Sequence, residues 1–345
     1  MSRSVLATII VCSTALAAVA ARADTLEQYS QKCDAATGAT VPDFDCDAGT
    51  LVPDTNQSGP GYPNLKCDRP NVLNHECDPG SRFQVLVEND NASIVAHCRK
   101  KIDVDDGKYG DIAVIQYGKK NGATCFYQAL GRLNPKVQAP SKGTSAWPWL
   151  EPARTARIAC GECHDNGPFI RSPYIAQLKD IPGNTKNVLP GSHDGSYNST
   201  QPYAWVGDDF STWKSWTIEI SGNTCNDCHR MAVTNLAFHD VYSPFAAEGG
   251  GGTARVLGIN ATGKDQVPPP HTFDPAHPVL SHKNKHDTNS PIWMTPGQNT
   301  FDQGNFDAAM AMRACALKFV ANKFNTSKPL PAGCTVKFFA GAYKP

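Results

Sequence analysis

The residues best suited to chemistry are two copies of the pattern Cys-x-x-Cys-His. The first motif is Cys160-Gly-Glu-Cys163-His164 and the second motif is Cys225-Asn-Asp-Cys228-His229. On a helix, positions i, i+3 and i+4 share one face, so two thiols and one imidazole point the same way. Each motif can therefore hold a flat group at two covalent points and place a metal ligand at a third.

This pattern is the signature of covalent haem attachment. The two thiols form thioethers with the porphyrin vinyl groups, and the imidazole binds the iron as an axial ligand. We therefore expect two haem c groups, with His164 and His229 as iron ligands. The predicted attachment residues are Cys160, Cys163, His164, Cys225, Cys228 and His229.

Two other uses of paired cysteines fit less well. Common zinc modules separate their Cys-x-x-Cys pairs by roughly 15 to 20 residues, whereas about 60 residues separate the two motifs here. A redox-active dithiol would need a thioredoxin-like βαβ setting, which the sequence lacks, and it would not explain a histidine after each pair.

In these two motifs the chain resembles the two-haem c-type cytochromes of the bacterial cell envelope. The resemblance covers the attachment motifs and little else of the chain. It implies haem iron, export before haem attachment, and electron transfer with redox partner proteins. The motifs lie closer together than in tandem two-domain cytochromes or two-haem peroxidases, so one compact unit that holds both haems fits better.

The sixth iron ligands affect both potential and reactivity, because a methionine ligand raises the potential and a histidine ligand usually lowers it. Met294 lies in a loop flanked by Pro291 and Pro296, about as far beyond the second motif as the axial methionine of small cytochromes that it resembles. Packing of its thioether is the other interpretation. His193, between the motifs, is the first choice for the first haem, and His239 is a further candidate or a surface residue.

The first residues have the layout of a cleavable secretory signal. A basic residue, Arg3, precedes the apolar run 5–20 and the small-residue site Ala21-Arg22-Ala23. The run is shorter than the ~20 residues that a spanning helix needs, and no later segment replaces it. We expect a mature chain from about Asp24 in the periplasm or outside the cell, with no membrane span.

Eight cysteines lie outside both the signal and the two motifs, and in an exported chain they predict a disulfide framework. Eight cysteines allow about 105 pairings, so the connectivity stays open. One pairing can be predicted from position, because Cys315 and Cys334 are the only two of these cysteines that follow the motifs and they flank a Pro-rich turn. We predict that these two are paired. The eight are Cys33, Cys46, Cys67, Cys77, Cys98, Cys125, Cys315 and Cys334.

Length and charge limit the remaining possibilities. The 345 residues predict two units after the signal 1–23, namely 24–135 and 136–345. Lys plus Arg and Asp plus Glu both number 32, and the basic residues are scattered. No electrostatic surface for nucleic acid is expected.

The first unit is predicted to be a disulfide-rich domain that contains β-strands. Residues 24–80 are rich in Pro, Gly, Asn and Asp and predict loops. Asn121-Gly122 between two apolar runs predicts a hairpin. The predicted strands are 82–87, 93–98, 111–117 and 123–128.

The second unit is predicted to be a loop-rich, partly helical dihaem cytochrome c unit, which makes the fold class α+β. Its clearest helix spans about 305–323. Apolar residues recur there at helical spacing: Phe306, Met310, Ala314, Leu317 and Val320.

Three functions remain open. An electron carrier needs two protein ligands on each iron, whereas an enzyme needs one open haem that acts on peroxide or on a nitrogen or sulfur compound. The sequence favours the carrier, because it offers many candidate ligands. The domain 24–135 is expected to bind a partner, a surface or other copies of the chain.

Overall fold

A computed structural model of the protein describes most of residues 23–222 and a C-terminal segment. The described residues are 23–53, 78–100, 106–162, 164, 167–170, 173–190, 204–222, 311, 314, 315, 318, 319 and 321–340. The predicted signal lies outside them. The described part mixes helix and sheet, is mostly sheet, and is cross-linked by disulfides, as the α+β prediction requires in outline.

The central element is a six-stranded sheet whose strands, in spatial order, are β2 (Thr50–Leu51), β3 (Arg82–Glu88), β4 (Ala92–Arg99), β5 (Tyr109–Gly118), β6 (Ala123–Leu133) and β8 (Ala204–Trp205). Neighbours are antiparallel except β6 and β8, which run parallel. All four predicted strands are present.

The predicted hairpin joins β5 to β6. The N–H of Gly122 donates to the carbonyl of Gly118 at 2.8 Å, and Gly122 has a φ of 73° that suits a residue without Cβ. The Asn121 side chain accepts from the N–H of Ala123 at 3.1 Å. The Asn-Gly signal thus identified the turn between the two longest strands.

The prediction of loops throughout 24–80 is wrong at its start, where helix α1 spans Leu26–Thr37. The Thr25 side chain accepts from the N–H of Gln28, and the Gln28 side chain accepts from the N–H of Thr25, which forms a capping box. Gly38 ends the helix in the left-handed conformation with a φ of 75°. These capping residues were readable in the sequence, although the polar composition around them suggested loops.

One face of the sheet, which we call the helix-covered face, packs against α1. Two disulfides join the N-terminal segment to this face of the sheet, Cys33–Cys125 and Cys46–Cys98. Between them, the buried Gln116 side chain donates to the hydroxyl of Thr37 at 2.8 Å and the carbonyl of Ala39 at 2.6 Å. Disulfides predicted for this region are thus present among the described residues, and the bridges hold a helix as well as loops.

The opposite face, which we call the motif-covered face, packs against the chain that contains and follows the first motif. Alternate residues of a strand point to the same side, so Tyr117, Phe126 and His97 share this face through the strand register. Their rings contact Phe169, His164 and Tyr174, at centroid distances of 5.8, 5.4 and 5.7 Å respectively. The contacts are aromatic, without a covalent link in the described residues.

Residues on both sides of the predicted boundary at 135/136 contribute to one core. Buried side chains from Leu26 to Phe210 belong to the same apolar cluster, and β8 extends the sheet of the first unit. Division into two domains stays a prediction. Four further elements flank the sheet: the paired strands β1 (Phe44–Asp45) and β7 (Lys136–Val137), and the short helices α2 (Pro152–Arg157) and α3 (Pro173–Ala176).

The C-terminal residues form a second, smaller core. Strand β9 (Lys214–Ile220) pairs antiparallel with β10 (Cys334–Ala340). The Cys315–Cys334 disulfide is present, which confirms the predicted pair. The described residues between 311 and 321 are helical, as predicted for that part of 305–323, and Phe319 packs against Trp216 at 4.8 Å between ring centroids. No described helix is long and apolar enough to cross a membrane.

Candidate haem-attachment site

The structure describes two of the predicted site residues, Cys160 and His164, both from the first motif. The other predicted residues lie outside the described part of the chain, and their roles stay predictions. These are Cys163, Cys225, Cys228, His229, His193, His239 and Met294.

The first motif forms a short helical turn rather than part of a long helix. After α2 ends at Arg157, the chain changes direction at Ala159, whose φ of 59° is unusual for a residue with a side chain. A 3-10 turn over Cys160–Glu162 follows. The N–H of His164 donates to the carbonyl of Cys160 at 2.8 Å, so these two residues stand one turn apart, as the motif argument requires.

The imidazole of His164 is oriented by a backbone carbonyl. Its Nδ1 lies 2.7 Å from the oxygen of Pro168. Because a carbonyl oxygen only accepts, Nδ1 must carry the proton, which leaves the lone pair on Nε2. Histidines that bind metals commonly donate their other ring N–H in this way, which fixes both tautomer and ring orientation.

Burial keeps this imidazole neutral. Desolvation lowers the pKa of His164 to about 4, while the Pro168 carbonyl raises the pKa and the positive charge of Arg99 lowers it. A neutral imidazole is the form that binds metals. The ring therefore has the protonation state that an iron ligand needs at neutral pH.

Cys160 is a partly buried thiol outside the disulfide framework. Burial raises the pKa of its thiol to about 12, with the charge of Arg99 acting in the opposite direction. The thiol is therefore protonated at neutral pH, and metal coordination, which needs the thiolate, is disfavoured. A role in covalent attachment to a neutral group is consistent with this state.

An aromatic cluster meets His164 on the sheet side through Phe126. The Phe126 ring meets His164 edge-on at 5.4 Å between centroids and also contacts Trp213 at 5.7 Å. Trp213 in turn contacts Trp205 at 5.0 Å and Phe210 at 4.8 Å. These rings form a continuous apolar wall that limits the access of water to the motif.

Gly161 allows the motif to lie directly against this wall. A Cβ added to Gly161 would stand 2.7 Å from the Trp213 ring, closer than any real contact. The indole is held in place because its Nε1–H donates to the carbonyl of Ala156 at 3.2 Å. Glycine at the first variable position of the motif is therefore a packing requirement in this chain.

A polar cluster lies on the same face of the sheet. Arg99 on β4 and Asp111 on β5 are opposite each other in register, with Nη1 and Oδ1 3.0 Å apart. The Gln128 amide on β6 donates to the same carboxylate oxygen. Gln128 is two residues along β6 from Phe126, which contacts His164, so the cluster lies near the motif, and the positive charge of Arg99 lowers the pKa of both Cys160 and His164.

The residues present fit a haem at the first motif. They offer a neutral imidazole with a directed Nε2, a free thiol one turn away, and an aromatic wall for an apolar macrocycle. By contrast, the described residues contain no group of three or more His, Cys, Asp or Glu side chains that could hold a metal ion.

Sequence reasoning did not identify four residues of this site: Arg99, Phe126, Pro168 and Trp213. Phe126 lies in a predicted strand, and alternation of side chains placed it on one face of the sheet, but nothing in the sequence indicated which segment covers that face. Their roles depend on the tertiary fold.

Comparisons with protein-family models, with curated proteins and with solved structures found no match for this chain.

Proposed function

We propose that this chain is an exported dihaem c-type cytochrome that transfers single electrons between redox partner proteins. The two Cys-x-x-Cys-His motifs carry the proposal. The observation that supports it in the described site is the hydrogen bond from Nδ1 of His164 to Pro168, which leaves Nε2 for an axial bond to iron.

The sheet would act as a platform for the first haem. A bound haem supplies an iron couple that gains and loses one electron. The Pro168 carbonyl would hold the imidazole of His164 in place as an iron ligand, while Phe126 and Trp213 would exclude water from it. A dry and rigid surrounding suits electron transfer, because little has to rearrange when the charge changes.

Export is the second part of the proposal. The three described disulfides indicate an oxidising environment outside the cytoplasm. The basic and apolar residues at the start of the sequence would direct the chain there. We also propose that the sheet-containing region docks to a partner or to other copies of the chain.

Intact mass measurement of the purified mature protein, together with optical spectra, tests the attachment of the haems. We expect the mass of the chain plus two haems. The matched variants Cys160→Ala/Cys163→Ala and Cys225→Ala/Cys228→Ala should each retain one haem. A wild-type mass without haem would contradict the proposal.

Electron paramagnetic resonance then distinguishes the carrier from an enzyme. Two low-spin ferric haems that do not bind carbon monoxide after reduction would support electron transfer, because both irons would have two protein ligands. A high-spin haem, or one that binds carbon monoxide, would instead favour a haem oxidoreductase that acts on a small molecule.

A further inference from the structure

The polar cluster on the motif-covered face has an unused donor. The side chains of Arg99 and Asp111 are only 15% and 8% exposed, and Arg99 donates to Asp111 through Nη1. The Nε of Arg99 is buried as well, and it has no acceptor among the described residues. A buried donor without an acceptor is destabilising, so an acceptor that arrives with a bound group would be stabilising.

The cluster lies close to the first motif. Gln128, which donates to Asp111, is two residues along β6 from Phe126, the ring that contacts His164. Two residues along a strand correspond to about 7 Å on the same face of the sheet. The guanidinium is therefore placed within reach of a large flat group attached at Cys160 and His164.

We propose that Arg99 binds a carboxylate of the group attached at the first motif, a haem propionate, with its Nε–H as the donor. This inference rests on the proposed function. A guanidinium is suited to the role because it is always charged and presents several N–H donors in one plane. Asp111 and Gln128 are positioning residues, since they hold the guanidinium through Nη1 and leave Nε available.

The experiment uses the full-length holoprotein with 13C-labelled propionate carboxylates on the haem. It compares Asp111→Asn with Asp111→Asn/Arg99→Gln, so that neither protein contains an unpaired buried Asp111 carboxylate. Redox-difference infrared spectra report the labelled carboxylates, and a redox titration reports both haems. The variant Cys160→Ala/Cys163→Ala should lack the first haem, so the redox couple that is missing from its titration is assigned to that haem.

We expect loss of Arg99 to shift the infrared band of one labelled propionate. It should also shift the one-electron equilibrium of the first haem at least tenfold, or about 59 mV, toward the oxidised form. A nearby positive charge favours the reduced haem, so removing it lowers the potential. The couple of the second haem is the internal reference.

Arg99→Lys separates the hydrogen bond from the charge, and it carries the test if the double variant does not fold. Lysine keeps the charge but lacks the planar fork. The propionate band should shift in this variant while the equilibrium changes less than threefold. Unchanged propionate bands in haem-loaded variants would overturn the assignment of Arg99, whereas absence of haem from the wild-type protein would refute the proposed function itself.

Discussion

The two faces of the central sheet are covered in different ways. On the helix-covered face, the Cys33–Cys125 disulfide and a hydrogen-bonded Gln116 fasten α1 to the strands, and the Cys46–Cys98 disulfide fastens the turn Cys46–Ala48. On the motif-covered face, the described contacts are aromatic rings and the Arg99–Asp111 cluster. The difference indicates that one face is stabilised by the chain alone, whereas the other is organised around the first motif and, in our proposal, its haem.

The largest expected effect concerns the covalent link of the helix-covered face. Cys33 and Cys125 are 92 residues apart in sequence. Replacing both with Ala should lower the free energy of unfolding by about 4–5 kcal/mol, because a long closed loop is released in the unfolded state. Urea unfolding followed by circular dichroism measures the change.

The Cys315–Cys334 bridge is the matched control, since it spans only 19 residues. Its removal should cost about 3 kcal/mol on the same argument. A larger loss from the short bridge than from the long one would show that loop closure does not explain the stability of the helix-covered face.

The second effect concerns the hydrogen bonds beneath α1. Gln116 is fully buried; its amide donates to Thr37, and its oxygen accepts from the Tyr127 hydroxyl at 2.9 Å. Gln116→Leu removes the donor to Thr37 and the acceptor of the buried Tyr127 hydroxyl, and should cost about 2–3 kcal/mol. Haem content should not change, because the side chain lies on the face opposite the motif.

Gln138→Leu provides the control for this substitution. The side chain of Gln138 is exposed, so the same change should alter stability by less than about 0.5 kcal/mol. If Gln116→Leu also reduced the haem content of the folded protein, the two faces would not be independent.

The third effect tests the motif-covered face. Gly161→Ala places a Cβ against the Trp213 ring and should cost about 1–3 kcal/mol by overpacking. It should also lower occupancy of the first haem while leaving the second attached. Intact mass and urea unfolding measure both outcomes.

A double variant checks the cause of this loss. Gly161→Ala in a Trp213→Leu background removes the clash, so the added cost of the alanine should fall below that measured in the wild-type background. Equal costs in both backgrounds would mean that the Trp213 ring is not what requires glycine at this position.

The smallest effect is a pair of opposite pH dependences near α1. Burial raises the pKa of Asp34, so its contribution to stability is present at acid pH and lost as pH rises through the raised pKa. Lys142 and the N–H of Ala139 lower the pKa of Asp43, so its contribution is present above about pH 4 and lost as pH falls.

Asp34→Asn should therefore gain stability relative to wild type as pH rises, whereas Asp43→Asn should lose it. Each change should stay below about 1 kcal/mol, because Asp34 is only partly buried and the Asp43–Lys142 pair is exposed. Unfolding free energies measured between pH 3 and 7 test the signs. The same sign for both variants would contradict the assigned causes.

Much of the sheet could be predicted from the sequence, because alternation and the Asn121-Gly122 turn are local signals. The Cys315–Cys334 pair followed from position alone. The partners of Cys33 and Cys46 did not, since they lie on distant strands. Helix α1 was not predicted, because the polar composition of 24–80 indicates loops and the capping box of the helix is a weaker, two-residue signal.

The candidate site was predictable only as a motif. Residue types and spacing identified Cys160 and His164, but the surrounding Phe126, Trp213 and Arg99 come from segments brought together by the fold. A ring contact of that kind depends on which segment covers a sheet face, and no local pattern encodes it.

The most direct test of the central claim is the intact mass of the mature protein, compared with that of Cys160→Ala/Cys163→Ala. We predict two covalent haems in the wild-type protein and one in the variant. A wild-type chain that carries no haem, or a variant that keeps both haems, would contradict the claim that the motif-covered face is organised around an attached haem.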